Sequence, residues 1–549
     1  MTHRKHSFPL AFGAATVVVA SVLAACGGST TGSAGAANAK PVNGGTIYYG
    51  HEQEPPCLTG GWVQEAYLDR QVLDSLVSQV QGGKIVPWLA TSWKVSADQK
   101  TWTFTLKQGV KFTDGTPFNA AALKANFEYW LDPKAGNSTV QAYIGEYYKS
   151  SKAVDDYTFE LDLTKPYSPL LSALSQGYFG VQSAKALTRG VAVNCVDPVG
   201  TGPFIVQKWN RGQNIIFVRN PNYNSAPANA RHQGPAYVNK IVWSFLAEST
   251  VRYGSLTSGQ SNVIYDIPTV DWQDAKSQFQ VEQYITPGTP VRLALNTVQG
   301  PFADVQVRQA FAYATDRASA VKSAFNGEIP YNGNGALSQS TPGYDASLAN
   351  AFAYDPAKAA SLLDSAGWTQ KDSAGYRTKN GKELAIKLPY PAGTVFTSEG
   401  ATLLQDLQQQ AKQVGFNVTL IPTTQSEEFS GKYSAPNSYD AEPWYWTSPT
   451  AGVLYIVYRQ NLKDRPNYSN SSFYNNPQLE QLIAQANSTL DPAQQQKLYD
   501  QAQSIIVNQA AAIGLYTQTT SLAIKKNLRD VWLEDSQGEP VFSDAYFAK

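Results

Sequence analysis

The chain has 549 residues, 42% of them hydrophobic, and a formal net charge of zero. That length and apolar content support two or three domains with large cores. The balanced charge, with no basic stripe and no long block of one sign, argues against a nucleic-acid partner and against a charged disordered tail.

In chain order the first element is an export leader. His3, Arg4, Lys5 and His6 make a positive start, and an apolar run follows from Leu10 to Ala25. The run is shorter than the roughly 20 residues that span a bilayer, and it has the proportions of a signal-peptide core. Leu23-Ala24-Ala25-Cys26 resembles a bacterial lipobox, in which the cysteine receives diacylglycerol and becomes the first mature residue. Residues 1–25 are therefore expected to be a signal peptide, with Cys26 the lipidation site and residues 26–43 the lipidated cysteine and its tether. Several acyl chains anchor a protein stably where one is marginal. Gly27 to Ala39, built of Gly, Ser, Ala, Thr and Asn, cannot bury enough area to offset its ordering entropy. As a flexible linker it reaches roughly 20 Å. Export also bears on the remaining thiols, Cys57 and Cys195. In an oxidising compartment they are expected to pair as a disulfide, which the chain-entropy model values at about 4–5 kcal/mol. The alternative is two separate buried thiols. No other window is apolar enough to span a membrane.

The body reads as mixed α and β. Thr101–Leu106 alternates strictly, with Trp102, Phe104 and Leu106 on one face, as a half-buried strand does. Asp114-Gly115 marks a turn, and the segments from Thr158 and Asn214 repeat the strand pattern. Asn119 caps a helix whose Leu123, Phe127, Trp130 and Leu131 share a face, and it stops before Pro133. Asp355-Pro356, Asn476-Pro477 and Asp491-Pro492 each place an N-cap before an N1 proline. Gly367 ends the first of these helices after Leu362, Leu363 and Ala366. The last, Asp491 to Ala510, carries Leu498, Ala502, Ile505 and Ile506 on one stripe. Interleaved strands and helices point to α/β or α+β lobes, and no repeat of solenoid period is present.

Five segments then fall into a familiar order. They are Pro87–Pro133 ("PWLATSWKVSADQKTWTFTLKQGVKFTDGTPF…"), Val199–Tyr223 ("VGTGPFIVQKWN…"), Leu293–Arg317 ("LALNTVQGPFADVQVRQAFAYATDR"), Tyr354–Trp368 ("YDPAKAASLLDSAGW") and the helical stretch from Asn476 to Ile506. Together they resemble the family 5 extracellular solute-binding proteins, the oligopeptide-, dipeptide- and nickel-binding components of ABC importers. The resemblance implies an α/β, two-lobed periplasmic-binding-protein-like fold of the class II (cluster C) type, with an extra subdomain on lobe I. Carried onto this chain, it gives lobe I residues 44–61 and 197–290 with a return at 515–549, the subdomain 62–196, and lobe II 291–514. The hinge is expected near Tyr284–Asn296 and Ile513–Thr517. It also implies a monomeric receptor that closes on a peptide-like or other small organic solute and docks on a membrane permease. ATP is hydrolysed on other subunits, in keeping with the lack of a GxxxxGK[ST] loop here. A ligand sensor or envelope chaperone on the same scaffold is the alternative.

The same resemblance directs attention to Tyr439–Gly452, "YDAEPWYWTSPTAG", with Asp440 and Trp446 at recurrent positions. Trp446 and Trp444 are expected as cleft walls. Peptide-binding relatives place an aspartate just after the tryptophan to pair with an α-amino group. Here Thr447, Ser448, Pro449 and Thr450 follow, which argues against a free-amine dipeptide. Glu54, just past the first strand, could meet a cationic ligand or be a solvated loop residue. Asn296 could bond the ligand or a hinge backbone group, with the backbone role favoured. Trp62 and Tyr178 are weaker candidates whose alternative is subdomain packing. After removal of the leader only His51 and His232 remain of the histidines. With no CxxC or HExxH motif, no metal site and no cofactor are expected. Ser319-Ala320-Val321-Lys322 fits the S-x-x-K of penicillin-binding enzymes. It lies inside the third family segment without its companion motifs, so an exported serine enzyme is the disfavoured reading.

Overall fold

A computed structural model describes residues 41–549 except 60–66, 136–137, 394–395, 425–426, 428–429 and 549. The leader, Cys26, the tether and Trp62 lie outside the described residues.

The strands that organise the molecule follow in chain order. They are β1 (Thr46–His51), then β2 (Ala90–Val95), β3 (Thr101–Leu106), β4 (Tyr148–Ala153) and β5 (Thr158–Leu163), with helix α1 (Ala120–Leu131) between β3 and β4. Next come β6 (Phe204–Asn210), β7 (Asn214–Arg219), β8 (Lys240–Phe245), β9 (Val263–Tyr265), β10 (Gln280–Ile285) and β11 (Gly288–Leu295). After α2 (Val305–Tyr313) and α3 (Pro356–Ser365) the chain forms β12 (Ala385–Pro391), α4 (Ser398–Val414), β13 (Asn417–Thr423) and β14 (Ala441–Thr447). It closes with α5 (Val453–Tyr458), α6 (Pro477–Ala486), α7 (Pro492–Asn508), β15 (Ala512–Tyr516) and β16 (Thr519–Ile524). The expected caps are in place. Asn119 accepts from Ala122 N, Asp355 from Lys358 N, Asn476 from Leu479 N, and Asp491 from Ala493 N. Each satisfies one of the amides that a helix start leaves without a partner.

β10-β16-β9-β1-β8-β7-β6 form a seven-stranded sheet, and β14-β11-β15 a separate three-stranded one. The chain passes between these two sheets at Thr286-Pro287, from β10 to β11, and at Thr517-Gln518, from β15 to β16. The two crossings run side by side, since Thr286 N donates to Gln518 O at 2.8 Å. Gly288, the first residue past one crossing, has φ +117°. A Cβ there would stand 2.0 Å from the Trp446 carbonyl oxygen, so glycine is required on both counts.

A four-stranded antiparallel sheet, β2-β3-β5-β4, forms the extra layer that the sequence resemblance implied. The alternation in β3 buries Trp102, Phe104 and Leu106, which meet Leu161 and Phe159 across β5, and α1 lays Phe127 on Phe159 at 5.2 Å. The seven-stranded sheet packs around Ile47, Tyr49, Ile215, Trp243 and Phe542. Lobe II has its own core of Leu293, Leu295, Phe311, Leu403, Leu407 and Ile513. A third apolar core is shared. It runs without a break from the subdomain residues Phe127, Tyr143 and Leu170 to Leu454, Ile483 and Ala502 of α5, α6 and α7.

Candidate ligand-binding cleft

β11 alternates in a way its composition hides. Every one of its residues is buried, so the run reads as core. Leu293 and Leu295 turn to the lobe II core with Ile513 and Leu515 of β15. Arg292 turns to the other face, where Trp444 is its cross-strand partner on β14. Trp446 lies on that face too, two residues on. Its amide donates to Thr289 Oγ1 at 2.7 Å and its indole N–H to Tyr143 Oη at 3.4 Å. Tyr143 belongs to the subdomain and donates in turn to Thr447 O at 3.0 Å. The face carrying Arg292, Trp444 and Trp446 is thus turned toward the subdomain.

Polar contacts continue along this seam. Ser168 N donates to Asn487 O at 2.7 Å, and Gln495 Nε2 donates to Ser168 Oγ at 2.9 Å. Glu146 accepts from Tyr455 Oη at 2.8 Å and pairs with Arg459 at 3.3 Å.

A second cluster of ionisable groups lies in lobe I. β1 and β9 are parallel neighbours, and just past their carboxyl ends stand Glu52 and Asp266. The carboxyl ends of parallel strands are where open α/β sheets bind ligands. His51, Tyr67 and Tyr265 cluster at these strand ends, with the His51 ring 4.6 Å from Tyr265 and 5.7 Å from Tyr67. Burial lowers the His51 pKa to about 3, so the ring is neutral and brings no cation. Burial, then the neighbouring Glu52, raises Asp266 to about 7; Arg252, 3.9 Å away, opposes the shift, and Glu399 in the first turn of α4 adds to it. Tyr445 of β14 is likewise held protonated, by burial first and then by Tyr67 and Glu52. Asp266 also has φ +54°, a left-handed backbone that aspartate tolerates better than most residues.

The sequence-derived candidates are distributed as follows. Trp446 and Trp444 stand on the seam face. The Glu54 carboxylate is engaged within lobe I, accepting from Trp209 Nε1 at 2.7 Å and Gly212 N at 2.9 Å, with Arg211 at 3.6 Å. It closes the β6–β7 hairpin. The Asn296 side chain donates to Pro436 O and Tyr439 O and accepts from Val298 N and Gln299 N, all backbone groups. Tyr178 is buried in the subdomain core. Asp440 ties strands together, its carboxylate accepting from Lys387 N at 2.8 Å and its carbonyl from Asn296 N at 2.8 Å. Cys57 and Cys195 adjoin: Leu58 N donates to Cys195 O at 2.8 Å, and a hydrogen bond with Cys57 is the main cause lowering the Cys195 thiol to about 7. Arg292, Tyr143, Glu52 and Asp266 were not anticipated from the sequence. The one available signal was an arginine inside the apolar run "PVRLAL".

The sequence model of the bacterial extracellular solute-binding proteins, family 5 (middle region), matches residues 84–468. The chain belongs to this family. This family 5 protein is 30% identical over 374 residues to the nickel-binding periplasmic protein of Escherichia coli (strain K12), covering 67% of this chain and 68% of that one. It is 29% identical over 459 residues to the glutathione-binding protein GsiB of the same strain, covering 82% of this chain and 84% of the relative. In fold it is similar to the crystal structure of NikA from Brucella suis in complex with Fe(III)-EDTA, with a TM-score of 0.79 at 24% identity over 92% of this chain and 100% of that one. The two-lobed fold of this solute-binding family is therefore shown, and the relatives are binding proteins rather than enzymes. Family members are extracytoplasmic substrate-binding components of ABC importers. Among the described residues, no helix of the protein is long and apolar enough to cross a membrane.

Proposed function

We propose that this chain is the solute receptor of an ABC importer, tethered outside the cell membrane through Cys26, and that it traps a small organic solute by closing lobe II onto lobe I and its subdomain. The observation that carries the reading is the pair of adjacent two-residue crossings, 286–287 and 517–518, which alone join the two main sheets along the described chain. A ribbon of that kind bends with few contacts to break. The proposed hinge lies there, with lobe II between the crossings and lobe I on either side. Binding energy enters through differential affinity: a solute that touches both lobes favours the closed form by what it gains from the second wall. The permease, with its ATPase subunits, then reads the closed shape. No catalytic step and no cofactor is needed for this role, and the receptor acts as a monomer.

The solute is not a free-amine dipeptide, because Thr447–Thr450 supply no carboxylate after Trp446. The names of the relatives suggest probes. Glutathione, nickel with histidine, and an Ala-Ala dipeptide are to be titrated by calorimetry, beside native mass spectrometry of whatever the purified protein carries. A bound solute should shrink the radius of gyration in small-angle scattering. A solute that binds at micromolar affinity with no change in scattering would overturn the closure, and tight Ala-Ala binding would overturn the dipeptide exclusion.

A further inference from the structure

Six arginines of the described chain are more than nine-tenths buried, and five are tied down. Arg70 donates to Glu539, Ser75 and Ser175 O. Arg252, Arg308, Arg317 and Arg377 each donate to two or more main-chain carbonyls. Arg292 is the exception. It is 3% exposed, its Nε and Nη1 are buried without a hydrogen-bond partner, and it is in no ion pair among the described residues. Its guanidinium stands 5.7 Å from the Tyr458 ring; burial raises the Tyr458 hydroxyl, and Arg292, by its charge and a hydrogen bond, opposes that rise. Trp444 closes the site across the strand. Glu442 lies two pairs along, opposite Ala294. Arginine cannot shed its proton to relieve the burial. Buried charges are retained when something pairs with them. Here the missing partner is placed beside two tryptophans, on the face turned toward the subdomain.

We propose that Arg292 anchors a carboxylate of the solute, with the Tyr458 hydroxyl as a second donor and Trp444 as the adjoining wall. The inference deepens the receptor reading above and rests on it: the transported solute is an organic acid, or the acidic end of a larger molecule. Inorganic oxyanions share part of this chemistry, so they form a separate arm of the test.

The experiment compares wild type with Arg292→Gln and Arg292→Met. Succinate, citrate, glutathione and an N-acetylated amino acid are titrated by calorimetry, together with the amide of each acid and with inorganic phosphate and sulfate. At least one acid is expected to bind wild type, to lose affinity by about 30-fold or more in both variants, and to bind far better than its amide. Arg292→Met is also expected to raise the melting temperature of the ligand-free protein, since it removes a buried charge that has no partner. A lowered melting temperature in both variants would assign Arg292 a structural role and overturn the proposal. So would a solute bound equally by wild type and Arg292→Gln, a panel in which no acid binds, or binding by phosphate or sulfate alone. A neutral or cationic solute that closes the lobes and ignores the substitution would sink this inference and leave the receptor reading standing. A solute that depends on Arg292 but does not compact the protein would do the reverse.

Discussion

Glu146 offers the cleanest test of closure, because it lies at the rim of the seam. Its carboxylate, 38% exposed, receives Tyr455 Oη at 2.8 Å and Arg459 at 3.3 Å from lobe II, and Lys165 at 3.8 Å from its own subdomain. A hydrogen bond to a charged group contributes about 1.5–3 kcal/mol when shielded, and exposure reduces that here to about 1 kcal/mol. The Arg459 pair adds about 0.5 kcal/mol. Glu146→Ala removes both and leaves Lys165 facing Arg459 as like charges. The closed form should lose about 1.5 kcal/mol relative to the open one, which is roughly tenfold in the closure equilibrium. Where the open form dominates without solute, the whole factor appears as weaker binding. Calorimetry on the solute recovered from the purified protein reads it directly. Tyr455→Phe should reproduce most of the loss, and the double variant should fall short of the sum because both changes remove one contact. If Glu146→Ala lowers the melting temperature but leaves affinity within a factor of two, the seam is fixed packing and the closure argument fails.

Other expectations follow from the same structure. His51 has a folded pKa near 3 against an ordinary 6.5, so its contribution is complete above pH 6.5 and is lost as the pH falls toward 3; the loss amounts to about 5 kcal/mol at most. Urea midpoints at pH 7 and pH 4 should differ less in His51→Gln than in wild type, and parallel shifts would show that the ring is not held neutral. Cys57 and Cys195 should yield one cross-linked peptide in a non-reducing digest of protein from the cell envelope, and alkylation of both thiols without reductant would exclude the bond. Gly288→Ala forces a Cβ to 2.0 Å from Trp446 O at φ +117° and should cost about 3 kcal/mol or more in urea unfolding; a smaller loss would mean that the crossing tolerates a side chain. Cys26→Ala should move the protein from the membrane fraction to the soluble one, and unchanged membrane retention would rule out the lipid anchor.

What the sequence made legible was local. The four N-caps and the alternation of Thr101–Leu106 are decided within a few residues, and they appear where expected. A motif brackets Trp446 and Trp444, which is why the sequence singles them out. Glu54 looked attractive for its place after the first strand, but only the folded β6–β7 hairpin reveals that Trp209 and Gly212 consume its carboxylate. The Glu52–Asp266 edge requires knowing that β1 and β9, more than two hundred residues apart, lie side by side. The Tyr143–Trp446 contact spans three hundred. Arg292 was hidden for a different reason. A strand buried on both faces shows no polar alternation, so one charged residue in "PVRLAL" carries no period to mark which face it takes.

The seam and Arg292 bear on each other. The apolar core shared by the subdomain and α5–α7 favours contact between the lobes whether or not a solute is present. A receptor closed in advance would gain nothing from its ligand and would engage the permease empty. Something must therefore oppose closure in the solute-free protein and cease to oppose it in the loaded one. A guanidinium enclosed without a partner has that property: while the seam is open water can reach it, and closing the seam strips that water unless an anion replaces it. On this reading Arg292 does more than hold one end of the solute. It makes closure conditional, because the same desolvation that penalises the empty closed form strengthens the bond once a carboxylate is there. The consequence is specific: Arg292→Met should populate the compact form in scattering without any solute, while Trp446→Ala, which removes wall and seam contact alike, should shift the ligand-free protein toward the open form.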